Sequence, residues 1–394
     1  MARLRIGVLG LGMAGGVMLP VIAAHEGVAL AAAADLNPQL RERFAAQHAL
    51  PVFDSAEQLL TSPEIDAVYI GTPHQFHREH TVSAARHRKH IIVEKPMALS
   101  LADCDSMIAA AEDGGVALIV GHTHGFNPTI DEMRALMETG GVGRPRVLTA
   151  VNYTNFIYRP RRDEELDARQ GGGVVWNQLP HMIDMVRMLV QQPVRSVRAT
   201  LTSLDEKRGV EALCAAYLTF EDNTVATLTY SGYDRFDTDE WHGWIGESGN
   251  QKAPSHGVAR QALQGIAGDE NRVRAERYGY GGDVYKNFEA YAQPHFGKLI
   301  VSCEHADLVP TAEGVDVFDS RGRKTVAIPV TRQRPAHAAV LDDLCAAASG
   351  ERVVRDGAFG RATVEVVLAL IASARRGREI IVGEGPTSLA AVYA

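Results

Sequence analysis

A lysine that could do chemistry follows a short apolar run, residues 91–93, in the stretch IIVEKPMALS. An ammonium group at the end of a buried strand costs desolvation unless something pairs with it, and Pro96 has no N–H to continue a strand ladder. Packing alone seldom needs a lysine there. Lys95 is therefore a candidate proton acceptor or charge stabiliser, with Glu94 as its partner. A plain ion pair at a strand end is the alternative.

The stretch GLGMAG at residues 10–15 has the glycine spacing of a dinucleotide-binding turn. An apolar run, Leu4–Leu9, precedes it, and a helix is predicted to follow as far as Ala24 with a kink at Pro20. A secretory signal is the alternative, but so many glycines weaken an inserted helix. The glycines let backbone N–H groups approach a pyrophosphate. The residues expected to contact the cofactor here are Gly10, Gly12, Met13 and Ala14.

An acidic residue stands where such a turn needs one. The apolar run Val28–Ala34 delivers Asp35 twenty residues after Gly15. A carboxylate there can accept hydrogen bonds from both ribose hydroxyls and would repel a 2′-phosphate, which predicts NAD rather than NADP. Arg41 and Arg43 nearby keep NADP open, and a surface acid after a strand is the alternative reading of Asp35.

Strand and helix patterns alternate over residues 1–125, as expected for a Rossmann domain with a doubly wound parallel sheet. Strands are predicted at 66–71, 90–93 and 116–120, and helices at 77–86 and 100–111. Ligands of such sheets lie beyond the carboxyl ends of the strands. The residues expected at those ends, near the cofactor, are Thr72, Pro73, His74, His77, Glu94 and Lys95.

From residue 126 to 394 the pattern changes to one typical of an α+β domain with a large, mainly antiparallel open-faced sheet. Strands are predicted at 147–153, 196–204, 212–220, 224–230 and 315–319. A helix is predicted at 174–190, and two late helices are predicted at 336–348 and 361–375. Residues 251–295 are predicted to be an insertion that could cover a site.

Composition limits the partners. The 394 residues are 46% hydrophobic, enough for two cores, and a net charge of -8 argues against nucleic acid or a membrane as partner. Four cysteines without CxxC spacing predict reduced thiols and a cytoplasmic location. Seven histidines fall between His74 and His124, but no cysteine or acid completes a tetrahedral set, so no metal is predicted.

Several motifs together resemble the glucose-fructose oxidoreductase / inositol dehydrogenase / MocA family. They are GLGMAG, TPHQFH at 72–77, EKP at 94–96, and GGG followed by His181 and Asp184. Within it, GHTHGFNP at 121–128, NYTNFIYRPRR at 152–162 and GGGVVWNQLPH at 171–181 are similar to dehydrogenases of carboxylated cis-dihydrodiols. The resemblance implies a homodimer or homotetramer formed through the C-terminal sheet.

The resemblance also implies two catalytic residues. Lys95, partly desolvated beside a positive nicotinamide ring, can accept the hydroxyl proton. His181 is the second, although this chain has Asn177 where the family usually has an aspartate, so His181 is expected to relay a proton or position a hydroxyl. A buried core histidine is the alternative. The expected substrate contacts are Asn177, His181, His124, Tyr158, Arg159 and Arg161.

The arginines suit capture of a carboxylate, and a solvated charge run is the alternative. The expected function is NAD-dependent oxidation of a ring hydroxyl in a small carboxylated or polyol substrate, a carboxylated cis-dihydrodiol giving a catechol. A sugar or cyclitol dehydrogenase is one alternative, and a non-catalytic NAD-binding regulator is another. Retention of Lys95 and His181 favours the enzyme, because a sensor needs neither.

Overall fold

A computed structural model describes residues 3–139, 141–266, 270–282, 289–330 and 334–393. The chain divides into two compact units. Unit 1 comprises Met1–His122, Arg272–Phe288 and His337–Val364, and unit 2 comprises Thr123–Asn271, Glu289–Ala336 and Glu365–Ala394. A single boundary at residue 125 does not describe the two late segments of unit 1.

Unit 1 contains the predicted doubly wound parallel sheet, whose six strands run in the order β3-β2-β1-β4-β5-β6. The strands are β1 Leu4–Leu9, β2 Val28–Ala34, β3 Val52–Phe53, β4 Ala67–Ile70, β5 His90–Val93 and β6 Leu118–Val120. The helices between them are α1 Met13–Ala24, α2 Pro38–His48, α3 Ala56–Thr61, α4 His77–Arg86 and α5 Leu101–Gly114. Ser100 caps α5 by accepting from the Asp103 N–H at 3.1 Å.

The strand order reverses beside β1, where β2 and β4 lie on opposite sides of it. Leu9 pairs with Ile70, and Ile70 pairs with Val93, so the carboxyl ends of β1, β4 and β5 are adjacent. The residues that follow these ends, Gly10, Gly71 and Glu94, therefore lie at one edge of the sheet. Ligands of open α/β sheets bind at such a point.

Unit 2 contains a nine-stranded sheet in the order β14-β13-β12-β11-β7-β10-β9-β8-β15. Strands β7 and β10 are parallel and the other pairs are antiparallel, which confirms the predicted mainly antiparallel sheet. The strands are β7 Pro145–Tyr153, β8 Val194–Thr202, β9 Leu213–Phe220, β10 Val225–Ser231, β11 Lys298–Cys303, β12 Asp307–Pro310, β13 Gly314–Asp319, β14 Gly322–Ala327 and β15 Ile380–Ile381.

Further helices accompany this sheet and unit 1. They are α6 Pro128–Thr139, α7 Gly173–Asn177, α8 Leu179–Val190, α9 Val258–Gln264, α10 Glu270–Tyr278, α11 Pro335–Ala348, α12 Gly357–Arg376 and α13 Leu389–Tyr393. The predicted insertion at 251–295 contains α9 and α10, and its residues 267–269 and 283–288 lie outside the described part of the chain. Leu341 and Leu344 of α11 join the core of unit 1.

The two faces of the large sheet differ. One cross-strand row consists of Val197, Leu218, Ala226, Leu148 and Val301, and all five side chains are buried. The neighbouring row on the other face consists of Arg198, Tyr217, Thr227, Thr149 and Ile300, and none of these is buried. Helix α8 contacts β7 and β10, whereas the second face keeps large apolar side chains exposed.

The single helix predicted at 174–190 is wrong in one respect: it is two helices, α7 and α8, which are separated at Gln178. Pro180 explains the break, because inside a continuous helix its ring would clash with the carbonyl of Trp176. In the structure Pro180 lies instead in the first turn of α8, where no N–H is needed.

One helix among the described residues, α12, is long and apolar enough to cross a membrane. Its most apolar window is 67% buried inside the protein, as expected for a helix of a protein core.

Candidate functional site

The glycine loop of unit 1 leaves room for a phosphate. A Cβ on Gly10, which has φ +96°, would lie 2.9 Å from the Gly71 carbonyl carbon, and a Cβ on Gly15 would lie 2.0 Å from the Gly10 oxygen. Both positions therefore require glycine. At Gly12, the N-cap of α1, a Cβ would have no neighbour within 4 Å. The open space in front of this backbone fits the pyrophosphate of a dinucleotide.

Asp35 holds this loop. Its Oδ2 accepts from the Leu11 N–H at 2.7 Å and its Oδ1 accepts from the Asn37 N–H at 2.7 Å. Each carboxylate oxygen can accept a second bond, so the site suits ribose hydroxyls as well. Arg41 donates to the Asp35 and Leu36 carbonyls at 2.8 and 2.9 Å. These bonds fold its side chain back onto the main chain after β2.

Lys95 follows a buried carboxylate with defined partners. Glu94 Oε1 accepts from the Tyr69 hydroxyl at 2.6 Å, and Oε2 accepts from the Lys95 N–H at 3.3 Å. Burial raises the pKa of Glu94, while the Tyr69 hydrogen bond and the positive charge of Lys95 oppose that shift. The Lys95–Pro96 peptide bond is cis. The charges of Glu94 and Lys95 thus attract each other at the end of β5.

His77 connects two loops at the strand ends. Its Nδ1 lies 3.0 Å from the Pro96 oxygen and its Nε2 lies 2.9 Å from the Thr72 oxygen. The ring is 1% exposed, and burial lowers the pKa of His77 to about 4. Both ring nitrogens face the main chain, which favours a positioning role for His77 over direct contact with a cofactor. Thr72 contacts His80 Nδ1 through its hydroxyl at 3.0 Å.

Unit 2 brings His181 and His124 together. Their ring centroids are 4.6 Å apart, and the Phe296 ring lies 4.5 Å from His124 and 5.0 Å from His181. Tyr230 stacks on Phe296 at 6.2 Å, and its hydroxyl donates to Gln178 Oε1 at 3.1 Å. Burial raises the pKa of Tyr230. We call His124, His181, Tyr230 and Phe296 the aromatic cluster.

A network of ion pairs fixes the main chain on either side of Phe296. Lys252 Nζ lies 2.7 Å from Asp237 and 2.6 Å from Asp239. His295, 3.6 Å from Asp239, donates to the Ile245 oxygen and accepts from the Gly297 N–H. Residues 295 and 297, on either side of Phe296, are thus fixed. No sequence pattern signals this network, because its members come from separate loops.

Asn177 serves the main chain. Its Nδ2 donates to the Gly173 oxygen at 2.9 Å and lies 3.3 Å from the Gly171 oxygen. These carbonyls need a donor, which a carboxylate at this position would lack. The amide therefore holds the GGG turn before α7.

The arginine-rich segment contains one clearly structural residue. Arg161 is 4% exposed, donates to the Phe156 oxygen, and lies 3.5 Å from the buried Glu165. Its guanidinium also stacks on the Phe156 ring at 3.7 Å. Arg159 donates its Nε to Asn155 Oδ1 at 2.6 Å.

The Tyr158 hydroxyl donates to Asp205 Oδ2 at 2.5 Å. Burial and this bond raise the pKa of Tyr158 to about 12. Tyr158 thus stays a protonated donor at neutral pH.

The predicted residues fall into two groups. Gly10, Asp35, Thr72, His77 and Lys95 belong to unit 1, and His124, Asn177, Tyr158, Arg159, Arg161 and His181 belong to unit 2. Within the part of the chain that the structure describes, no three His, Cys, Asp or Glu side chains are grouped to hold a metal ion. The four cysteines are free thiols.

Two family profiles match the sequence. The NAD-binding Rossmann-fold profile of the Gfo/Idh/MocA oxidoreductases matches residues 4–122, and the profile of their C-terminal domain matches residues 130–250. The 1-carboxy-3-chloro-3,4-dihydroxycyclohexa-1,5-diene dehydrogenase of Comamonas testosteroni is 39% identical over 98% of this chain and 98% of its own length. Myo-inositol 2-dehydrogenase of Thermotoga maritima is 27% identical over 59% of this chain and 71% of that protein.

Solved structures show the same architecture. A crystal structure from Bordetella bronchiseptica RB50 has a TM-score of 0.92 and 43% identity, covering 96% of this chain and 100% of that chain. An oxidoreductase from Agrobacterium radiobacter, solved with NAD+, L-tartaric acid and magnesium, has a TM-score of 0.73, covering 97% and 99%. At 16% identity, the second shows the fold alone.

Proposed function

Because the chain belongs to the Gfo/Idh/MocA family of NAD-binding oxidoreductases, we propose that it oxidises a ring hydroxyl of a carboxylated cis-dihydrodiol to give a catechol. The observation that carries this proposal is the full-length similarity to a dehydrogenase of a carboxylated, chlorinated dihydroxycyclohexadiene. NAD, when bound, accepts the hydride from the carbinol carbon. The ketone that results tautomerises to an aromatic catechol, which draws the reaction forward.

Lys95 is proposed to accept the hydroxyl proton. The ammonium that forms needs a compensating charge, and Glu94 supplies it from a fixed position because Tyr69 and the Lys95 N–H hold its carboxylate. The attraction is mutual, as the positive charge of Lys95 favours the ionised form of Glu94. His77, which meets the carbonyls of Thr72 and Pro96, supports the loop that follows Lys95.

The aromatic cluster is proposed to receive the flat ring of the substrate. Phe296 is 2% exposed and packs against both histidine rings, so it holds them in place. His124 is partly exposed and presents a flat ring, and His181 carries ring nitrogens that can position a hydroxyl. Asn177 has no charge to stabilise an imidazolium and is bonded to main-chain carbonyls. His181 therefore suits hydroxyl positioning or proton relay better than the role of principal base.

Arg159 is proposed to anchor the ring carboxylate. The positive charges of Arg159 and Arg161 both favour the ionised form of Tyr230, which stacks on Phe296 in the aromatic cluster. Arg161 is a weaker candidate because Phe156 and Glu165 engage its buried guanidinium. A guanidinium can hold a carboxylate by two parallel hydrogen bonds, which gives both affinity and orientation.

NAD is proposed as the cofactor in preference to NADP. Asp35 follows β2, with its Oδ2 bonded to Leu11 in the glycine loop and its Oδ1 bonded to Asn37, and its negative charge would repel a 2′-phosphate. Arg41, the nearest cation in sequence, is bonded to two carbonyls.

We further propose that the chain forms a homodimer or homotetramer through the open face of the nine-stranded sheet. Val147, Tyr217 and Ile300 are each at least 40% exposed there. Exposed apolar side chains on one contiguous face are typical of interfaces between subunits. Light scattering should therefore give two or four times the chain mass of 42.6 kDa.

The second candidate is a sugar or cyclitol dehydrogenase, which the similarity to myo-inositol 2-dehydrogenase favours. A substrate panel distinguishes the two. NADH formation should be measured with carboxylated cis-dihydrodiols, the same diols without the carboxylate, and inositol and glucose. We expect turnover with the carboxylated diols and little with the others. Preference for the polyols, or no effect of the carboxylate, would favour the second candidate.

A further inference from the structure

A late segment of the chain lies directly on the glycine loop of unit 1. The Tyr280 N–H donates to the Leu11 oxygen at 3.0 Å, between Gly10 and Gly12. The Leu11 N–H in turn donates to Asp35 Oδ2 at 2.7 Å. Hydrogen bonds therefore hold the peptide groups on both sides of Leu11: Asp35 binds the first, and Tyr280 binds the second. We call residues 279–282 the strap.

The strap is itself anchored to helix α2. The Tyr280 hydroxyl lies 2.7 Å from His48 Nε2, and the main-chain carbonyl oxygen of Tyr280 accepts from the Arg43 guanidinium at 3.3 Å. The Tyr280 ring, 6% exposed, packs against His48 and Phe44 with centroids 5.9 and 6.2 Å away. Next to it, a Cβ on Gly279 would lie 3.2 Å from Leu40. The segment is thus packed in place and hydrogen-bonded at both main-chain and side-chain atoms.

We propose that the strap holds the glycine loop ready for the adenosine half of the dinucleotide and slows its release, with Tyr280 as a positioning residue. This inference rests on the dinucleotide-binding part of the proposed function. A loop that is already ordered before binding loses less conformational entropy when the ligand arrives, which raises affinity. Leu11 is the point of action, since its neighbours Gly10 and Gly12 form the phosphate-binding turn.

The strap also bears on cofactor choice through Arg43. Arg43 is one of the two arginines that could reach a 2′-phosphate after β2, and its guanidinium donates to the Tyr280 oxygen. Loss of the strap would release this guanidinium. We therefore expect discrimination against NADP to weaken together with the affinity for NAD. A residue that only stabilised the fold would lower both affinities by the same factor.

The test uses the full chain and four variants: Tyr280→Phe, Tyr280→Gly, His48→Gln and the control Arg277→Ala. The control changes an exposed side chain of α10. Calorimetry gives Kd for NAD, NADP and ADP-ribose, and stopped-flow fluorescence gives the dissociation rates. ADP-ribose lacks nicotinamide and therefore reports on the adenosine half alone.

Tyr280→Phe removes one hydrogen bond, so its Kd for NAD should rise about threefold. Tyr280→Gly removes the side chain that attaches the strap to His48 and Phe44 of α2. Its Kd for NAD and ADP-ribose should rise about tenfold or more, mainly through faster dissociation. The ratio of the NADP to the NAD dissociation constant should fall in Tyr280→Gly. Arg277→Ala should match the wild type in all three ligands.

Wild-type dissociation rates and an unchanged NADP to NAD ratio in Tyr280→Gly would overturn the role of the strap. If that variant does not fold, Tyr280→Phe and His48→Gln decide, and unchanged dissociation rates in both would overturn it equally. A wild-type protein that binds neither dinucleotide nor ADP-ribose would instead contradict the proposed function itself.

Discussion

The Tyr69 hydroxyl on strand β4 donates a 2.6 Å hydrogen bond to Glu94 Oε1, at the end of the neighbouring strand β5. This bond stabilises the ionised carboxylate and so opposes the rise in the pKa of Glu94 that burial causes. The charge beside Lys95 thus depends on a residue outside the EKP motif. A neutral Glu94 would leave the ammonium formed on Lys95 without compensation.

Tyr69→Phe should therefore slow the reaction. With the hydrogen bond lost, the pKa of Glu94 rises further, and kcat should fall about tenfold while Kd for NAD stays near the wild-type value. Steady-state kinetics and calorimetry measure the two quantities. Tyr291→Phe, at a residue that is 64% exposed, is the control and should leave both unchanged. A normal kcat in Tyr69→Phe would show that the Glu94 charge does not matter.

His77→Gln should change how stability depends on pH. The pKa of His77 is lowered from 6.5 to about 4 because burial disfavours the imidazolium. Between those values the unfolded chain binds more protons, so the wild type loses about 3 kcal/mol of stability as pH falls through this window. Glutamine does not titrate, so the variant should not lose this part of its stability as the pH falls.

Denaturant unfolding at several pH values checks this expectation. At neutral pH His77→Gln should be less stable by about 1 kcal/mol, because one buried carbonyl loses its partner. In acid the order should reverse, because the wild type loses about 3 kcal/mol that the variant keeps. His87→Gln, an exposed histidine of the same region, is the matched control. A deficit that stays constant with pH would contradict the buried neutral imidazole.

Asn177→Asp should destabilise the protein rather than create a polyol enzyme. The Asn177 amide donates to the Gly173 oxygen, and a carboxylate would place an acceptor against this acceptor. We expect a loss of about 1–3 kcal/mol in the free energy of unfolding. Asn37→Asp is the control, because Asn37 Oδ1 is an acceptor in the N-cap of α2 and aspartate caps equally well. Increased inositol turnover in Asn177→Asp would contradict the structural role.

Substitutions of Arg159 and Arg161 should have different effects, the first on substrate binding and the second on stability. Arg159→Gln should raise KM for carboxylated substrates about tenfold and leave KM for uncarboxylated ones unchanged. Arg161→Met should instead lower the free energy of unfolding by about 1–3 kcal/mol, because the buried Phe156 oxygen loses both guanidinium donors and Glu165 keeps Arg162 but loses Arg161. Kinetics with paired substrates and urea unfolding measure these effects. The opposite pattern would make Arg161 the anchor.

The parts of the site that lie close together in sequence were predictable from it. GLGMAG, Asp35 and Lys95 are short local patterns whose chemistry follows from strand ends, and the structure has the strands that were predicted around them. Tyr69 and Phe296 were missed, and the contact of Tyr280 with the glycine loop was not predicted, since each acts through a partner far away in the chain. Pro180 is the residue that indicates a break between α7 and α8. The apolar periodicity of residues 174–190 continues across it, which is why one helix was predicted.

Single-turnover formation of NADH from a carboxylated cis-dihydrodiol, measured in the wild type and in Lys95→Met, tests the central claim most directly. Loss of the proton acceptor should slow the chemical step about a hundredfold or more, while Kd for NAD stays nearly unchanged. Lys207→Met, an exposed lysine, is the control and should react at the wild-type rate. A near-normal single-turnover rate in Lys95→Met would contradict the account.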